Sequence, residues 1–148
     1  LLDMGLDPFN FADSLLGVLA QRLARRLCEK CKVGYNPSEE EFDSLAEAYG
    51  RDYFAKLGVN HSPELTLYKP KEDGCPVCHG SGYKGRMGLH ELLTGTDDIK
   101  RAIQKKLPVE EIRNMAIESG MTTLMQDGGM KVIAGATDLQ QVKFVCMR

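Results

Sequence analysis

Cys28-Glu29-Lys30-Cys31 and Cys75-Pro76-Val77-Cys78 are the stretches on which the fold turns. A C-x-x-C knuckle sets two sulfurs on one side of a tight turn, at a spacing suited to sharing a tetrahedral ion. One knuckle alone says little, because redox dithiols use the same spacing. Two knuckles in a chain of 148 residues with five cysteines, and with no export signal to read at the N-terminus, point to a four-thiolate site rather than to bridges. The expected ligands are Cys28, Cys31, Cys75 and Cys78, and the expected ion is Zn2+. Four thiolates close the coordination sphere and leave no position for water, so the metal is structural and not catalytic. Free buried cysteines or a redox pair are the competing reading. His79 adjoins Cys78 and is a conceivable substitute ligand, though a solvated loop histidine explains it as well. The 43 residues between the pairs exceed a compact ribbon, so a folded excursion lies between them and the metal fastens its two ends. Cys146 reads as a small core residue.

Upstream of the first knuckle the pattern predicts an amphipathic helix. Asp7 can cap it and Pro8 suits its first position. Ala12, Leu15, Leu16, Leu19, Leu23 and Leu27 follow at helical spacing, with Arg22, Arg25 and Arg26 in the last turns, where cations complement the helix dipole. Inside the excursion, Ser38-Glu39-Glu40-Glu41 is a capping box, and Phe42, Leu45, Ala46 and Tyr49 give the helix an apolar face that ends near Gly50. Tyr53 to Leu57 reads as a further helical turn. Glu64 to Lys69 alternates and predicts a short strand; Arg86 to Leu93 predicts another, leaving the glycine-dense run Gly80 to Gly85. Arg86 itself is expected to pair with a carboxylate across the insert.

Beyond Thr96 the chain turns helical. The expected helices run from Asp97 to Leu107, from Pro108 to Gly120, from Thr122 to Ile133 (loosened by Gly128-Gly129), and onward from a second capping box at Thr137-Asp138-Leu139-Gln140. The fold class is therefore α+β and mostly helical: an amphipathic helix over 1–27, a tetracysteine zinc-stabilised α/β insert over 28–89, and a C-terminal helical bundle over 90–148.

Composition narrows the partners. Apolar residues make up 43% and charged residues 27%, and 19 Lys and Arg stand against 21 Asp and Glu for a net charge of −2. That balance gives no global reason to expect nucleic acid or an anionic membrane. The apolar runs are a few residues long, whereas a spanning helix needs roughly 20. The chain opens Leu1-Leu2-Asp3 rather than on Met, which suggests a piece of a longer protein.

The segment Cys75 to Gly82 also reads C-x-x-C-x-G-x-G, which resembles the zinc repeat of the DnaJ-type chaperones. Those use the repeat four times, and Gly34 comes one place too late after the first knuckle. A likeness covering nearly the whole chain is more specific. It is carried by Leu2-Asp3-Met4-Gly5 through Gln21-Arg22-Leu23-Ala24-Arg25-Arg26-Leu27-Cys28, by Cys75 through Gly82-Tyr83-Lys84-Gly85-Arg86-Met87-Gly88-Leu89-His90-Glu91, and by Gly120-Met121-Thr122-Thr123-Leu124-Met125-Gln126-Asp127-Gly128 with Gly135-Ala136-Thr137. In order and distance these resemble the C-terminal part of the secretion ATPases of the type II secretion and type IV pilus assembly family. His90 stands where an aromatic is commoner, and Gln141 where the closing helix usually carries Glu.

The resemblance implies a cytoplasmic hexameric motor, peripheral at the inner membrane through platform proteins, with ATP and Mg2+ bound by the full-length protein. It implies the tetracysteine branch, and it makes residues 1–27 the end of the ATPase core. Gln21, Arg22 and Arg25 are the candidates for proximity to nucleotide; as the solvated end of a helix they need no such role. No stretch here reads G-x-x-x-x-G-K-[ST], the glycine cradle and lysine that phosphoryl transfer requires. No catalytic residue is therefore expected in this chain, and no nucleic acid as partner. The rival is a free-standing zinc-stabilised module that binds partner proteins.

Overall fold

The computed structural model describes residues 17–146. Among them, four strands and six helices form a mixed α/β arrangement with two small sheets. In chain order these are β1 Gly17–Leu27, β2 Val33–Tyr35, α1 Glu39–Tyr49, α2 Arg51–Ala55, β3 Leu67–Lys69, β4 Tyr83–Thr94, α3 Asp97–Gln104, α4 Val109–Glu118, α5 Leu124–Ile133 and α6 Leu139–Cys146. Strand β1 pairs with β4 and β2 with β3. Contacts divide the described residues into two units: one holds those up to Ala20 with His90–Thr123, the other Gln21–Leu89 with those from Leu124 onward.

The main departure from the sequence reading is β1. Asp7, Pro8, Ala12, Leu15 and Leu16 lie outside the described residues, but Gly17–Leu27 is a strand where a helix was expected. Leu19 and Leu23, expected to face inward, are 60% and 50% exposed, while Ala24 and Leu27 are fully buried. The reason is where the backbone groups find partners. Cys28 N–H donates to Gly82 C=O (3.0 Å) and Leu27 N–H to Ala136 C=O (2.9 Å). Arg25 N–H donates to Gln141 Oε1 (3.3 Å), and Arg25 C=O accepts from Thr137 Oγ1 (2.8 Å). A helix would spend the same groups on residues four places away; distant pairing wins here. Arg22, Arg25 and Arg26 consequently complement no helix dipole and stand exposed on a strand.

In the unit built from Gln21–Leu89 and Leu124 onward, the excursion begins and ends on a ladder. β2 and β3 are antiparallel, with Val33 opposite Lys69 and Tyr35 opposite Leu67. β3 is shorter than the alternation suggests, because Asn36 Nδ2 donates to Ser62 C=O (2.7 Å) and Leu65 C=O (2.8 Å) and draws residues 62–65 into a turn. The first capping box forms as read: Glu41 N–H donates to Ser38 Oγ (3.1 Å) and Ser38 N–H to Glu41 Oε1 (2.9 Å). Ser38→Ala should therefore cost about 1 kcal/mol and fray the first turn of α1. Chemical denaturation of both proteins checks this, and equal midpoints would show that the cap contributes nothing.

The core of this unit joins Leu45 and Phe54 from the excursion, Leu67 of β3, Met87 and Leu89 of β4, and Val132, Val142 and Val145 of α5 and α6. Gly128 and Gly129 do not loosen α5; they let it pack. A Cβ on Gly128 would lie 2.4 Å from Val142 Cγ1, and one on Gly129 3.0 Å from Tyr49 Cδ2. At the start of α6 the expected capping box is displaced by one residue. Asp138 Oδ1 accepts from Gln141 N–H (2.8 Å), because the Thr137 hydroxyl is already committed to Arg25.

In the other unit, Thr96 Oγ1 caps α3 by accepting from Ile99 N–H (3.3 Å). α3 and α4 meet through Ile99, Ile103 and Ala116, with Leu93, Ile112, Met115 and Met121 around them. Pro108 occupies the N-cap position of α4, and Gly120, with φ +108°, ends the path beyond it. The helices of 90–148, grouped by the sequence into one bundle, thus draw on two cores: α3 and α4 on their own, α5 and α6 on that of the excursion. No helix among the described residues is long and apolar enough to cross a membrane.

Candidate metal centre

The end of β1 delivers Cys28, and the tight turn after it delivers Cys31. Cys31 N–H (3.3 Å) and Lys32 N–H (2.9 Å) both donate to Cys28 C=O, the turn that aims two sulfurs to one side. The second knuckle repeats the device just before β4, where Gly80 N–H donates to Cys75 C=O (3.1 Å) and Ser81 N–H to Cys78 C=O (3.3 Å). The Cys28 N–H to Gly82 C=O bond joins the knuckles directly.

All four sulfurs lie within 4.8 Å of one another. Cys28 Sγ to Cys75 Sγ and Cys31 Sγ to Cys78 Sγ are each 3.8 Å. That is far beyond the ~2.05 Å of a disulfide and matches the ~3.8 Å edge of a tetrahedron with metal–sulfur bonds of about 2.3 Å. The donor set suits a soft or borderline cation, zinc or iron. Cys28 and Cys78 are buried while Cys31 and Cys75 are half-buried, so a bound ion would sit shielded from water.

The surroundings favour thiolate at the second knuckle. Burial opposes ionisation of Cys78, but the N–H groups of Cys75 and Gly82, both 3.2 Å from its sulfur, and the neighbouring thiols outweigh it and bring its pKa down to about 6. Cys75 is lowered as well, chiefly by backbone hydrogen bonding from Cys78. Cys31 is pushed up to about 12 by burial and then by the sulfurs around it. Four thiols in contact cannot all ionise unless a cation balances them, and a bound metal supplies that charge.

Two glycines permit the geometry. Gly74 has φ +59°, and a Cβ there would sit 2.5 Å from the Gly80 carbonyl carbon and 2.8 Å from Cys78 Sγ; Gly82 has φ +80°, and its Cβ would meet Pro70 Cβ at 2.6 Å. The glycines of the C-x-x-C-x-G-x-G run signalled Gly82, whose amide both approaches the sulfur and leaves no room for a side chain; nothing in the sequence signalled Gly74. His79 is exposed and lies outside the sulfur cluster.

The remaining candidates are not gathered into a site with the cysteines. Gln21 is exposed on β1, and Arg22 Nη1 turns back to donate to Gln21 C=O (2.9 Å). Arg25 is held more firmly, with its guanidinium 4.3 Å from the centre of the Tyr83 ring. Tyr83 in turn donates to Asp138 Oδ2 (2.5 Å); burial and then that carboxylate push its phenol above the usual range, so it remains a donor. Sequence reasoning did not single out Tyr83 or link Asp138 to it, because the pair meets across 55 residues.

The sequence model of the Type II/IV secretion system protein family matches residues 1–144. The chain belongs to that family. Among its relatives, the type IV pilus assembly ATPase PilB of Thermus thermophilus is 41% identical over 140 residues. The type II secretion system protein E of Pseudomonas aeruginosa is 37% identical over 142 residues, and that of Dickeya dadantii 39% over 142. These alignments cover 95–96% of this chain but 14% of the first relative and 25% of the other two. The chain thus spans a quarter or less of the length of the secretion proteins it matches.

Proposed function

We propose that this chain is the C-terminal metal-binding and helical region of an ATPase that powers type II secretion or type IV pilus assembly. The observation that carries the reading is the likeness to such proteins along almost the whole chain, supported by a four-sulfur cluster of tetrahedral size. On this reading residues 1–27 end the ATPase core, 28–89 form its metal-binding subdomain and 90–148 its C-terminal helical part. The ion is one Zn2+ held by Cys28, Cys31, Cys75 and Cys78, and its task is mechanical: it ties β1 to the start of β4 across the excursion. ATP and Mg2+ are bound by the longer protein, which works as a cytoplasmic hexamer at the inner membrane against platform proteins. Gln21, Arg22 and Arg25 are the candidates for proximity to nucleotide in that assembly. The glycine amides and lysine of a phosphate loop are lacking in this sequence, so phosphoryl transfer falls to residues outside it.

The test has two parts. Protein purified without added metal should contain one zinc per chain by atomic emission and release no phosphate from ATP above background. The gene should encode a G-x-x-x-x-G-K-[ST] stretch ahead of Leu1. A folded, metal-free preparation would overturn the zinc assignment; a gene without the phosphate loop would overturn the motor reading and favour the free-standing module.

A further inference from the structure

Arg86 was expected to meet a carboxylate across the insert, and it does not. Among the described residues, Arg22, Arg25, Arg26, Lys84 and Arg86 take part in no ion pair, and all are exposed. They sit on two paired strands, β1 and β4, in a chain whose net charge is −2. The positive potential is therefore local, and the molecule as a whole does not account for it. Where Arg25 and Arg86 approach, they line an open cleft of about 540 Å3 together with Tyr83 and Gly85.

We propose that this cleft is a binding site for a phosphate-class oxyanion, held by the guanidinium groups of Arg25 and Arg86. One of the two forks is already set. The Tyr83 face lies beneath the Arg25 guanidinium, the Tyr83 hydroxyl is anchored on Asp138, and both backbone groups of Arg25 are tied to Gln141 and Thr137. Little side-chain freedom remains to be lost on binding. The floor is open: Gly85 has φ +81°, and nothing lies within 4 Å of where its Cβ would be, so a ligand can come close to the backbone. Asp138, the acid bonded to Tyr83, is occupied by the Tyr83 hydroxyl and the Gln141 amide.

Two forks also decide the class of anion. A carboxylate carries one negative charge on two coplanar oxygens, whereas a tetrahedral phosphate dianion presents three terminal oxygens and two charges and so matches two guanidinium groups better. Arg22, Arg26 and Lys84 on the same strands raise the potential further and favour a dianion. Free phosphate, a nucleotide and a phospholipid headgroup share this chemistry. The inference does not rest on the motor reading, since anion binding by this chain would stand even if no ATP were hydrolysed.

Titration of the full 148-residue chain, purified with zinc, by inorganic phosphate and by ATP tests it, with the Gly85 amide followed by NMR. The expected result is a saturable shift at Gly85, weakened about tenfold by Arg25→Gln and again by Arg86→Gln, and changed no more than about twofold by Arg113→Gln, on the exposed face of α4. Succinate at equal concentration should shift Gly85 less than phosphate does. Vesicles of phosphatidylglycerol, compared with phosphatidylcholine, identify a headgroup as the source if they displace phosphate; displacement by ATP alone identifies a nucleotide, and displacement by neither leaves the free ion. No saturable shift at Gly85, a shift that survives Arg86→Gln, or an equal response to succinate would each overturn the proposal. Arg86 makes no ion pair that its replacement could break, so an effect there is not a folding defect.

Discussion

Cys75→Ser is expected to unfold more than the segment that the metal encloses. A structural zinc supplies on the order of 10 kcal/mol of apparent binding free energy near pH 7, against a net stability of about 5–15 kcal/mol for a whole domain. On the proposed zinc reading, losing the site therefore removes most of what holds its unit together. The unit is larger than residues 28–89, because α5 and α6 contribute Val132, Val142 and Val145 to the same core as Leu45, Phe54 and Leu67. Hydrogen exchange should show protection lost from Cys28 to Leu89 and in α5 and α6, while α3 and α4, packed on Ile99, Ile103 and Ala116, keep theirs. Retained protection in α5 and α6 would show that they do not depend on the metal; equal loss in α3 and α4 would show a single cooperative block.

Acid should act in the same direction. Binding a cation requires thiolates, and Cys31, pushed up to about 12 without one, carries a proton in the metal-free cluster. The metal-bound folded state therefore holds fewer protons than the unfolded chain, whose cysteines titrate near pH 8.5. Stability is then greatest above that value and is lost as the pH falls.

Gly128→Ala should destabilise the protein even though alanine is the better helix former. In α5 the exchange gains about 1 kcal/mol of helix propensity. Against it stands a Cβ 2.4 Å from Val142 Cγ1 and 2.9 Å from Cγ2, with Val142 fully buried and no room to turn aside. Overpacking of this kind costs about 3 kcal/mol, so a net loss of about 2 kcal/mol is expected. For a chain of this size that lowers the melting temperature by roughly 4–8 °C. The companion variant Gly128→Ala/Val142→Ala should be more stable than the sum of its parts by at least about 1 kcal/mol, because the new methyl enters the space the valine vacates. Strict additivity, or a raised melting temperature in the single variant, would mean that α5 and α6 are not in this contact.

What could be read from the sequence was what is local. The Ser38–Glu41 box needs only four residues, and the two knuckles announce their sulfurs by spacing alone. β1 is different. Its leucines at positions 19, 23 and 27 repeat at intervals that fit a helix, whereas the groups that make it a strand belong to Gly82, Ala136, Thr137 and Gln141, which no local pattern exposes. The cap of α6 moved from Thr137 to Asp138 for the same reason, since one distant hydrogen bond had already taken the hydroxyl. Gly128 looked like a weakness because its purpose is written in Val142. Arg86 looked paired because its surroundings were invisible.

The bonds from Arg25 and Leu27 to residues 136–141 also constrain the order of events during synthesis. The Arg25–Thr137 bond closes a gap of 112 residues in the chain, and contacts that distant form slowly. The α3–α4 pair, by contrast, is assembled from contacts within 93–121 and needs nothing made later. On a ribosome that releases the chain from its N-terminal end, β1 emerges before the residues that secure it and must wait, its exposed leucines and unsatisfied amides accessible to chaperones, until α6 has left the tunnel. A strand made early among the described residues is thus among the last to be secured.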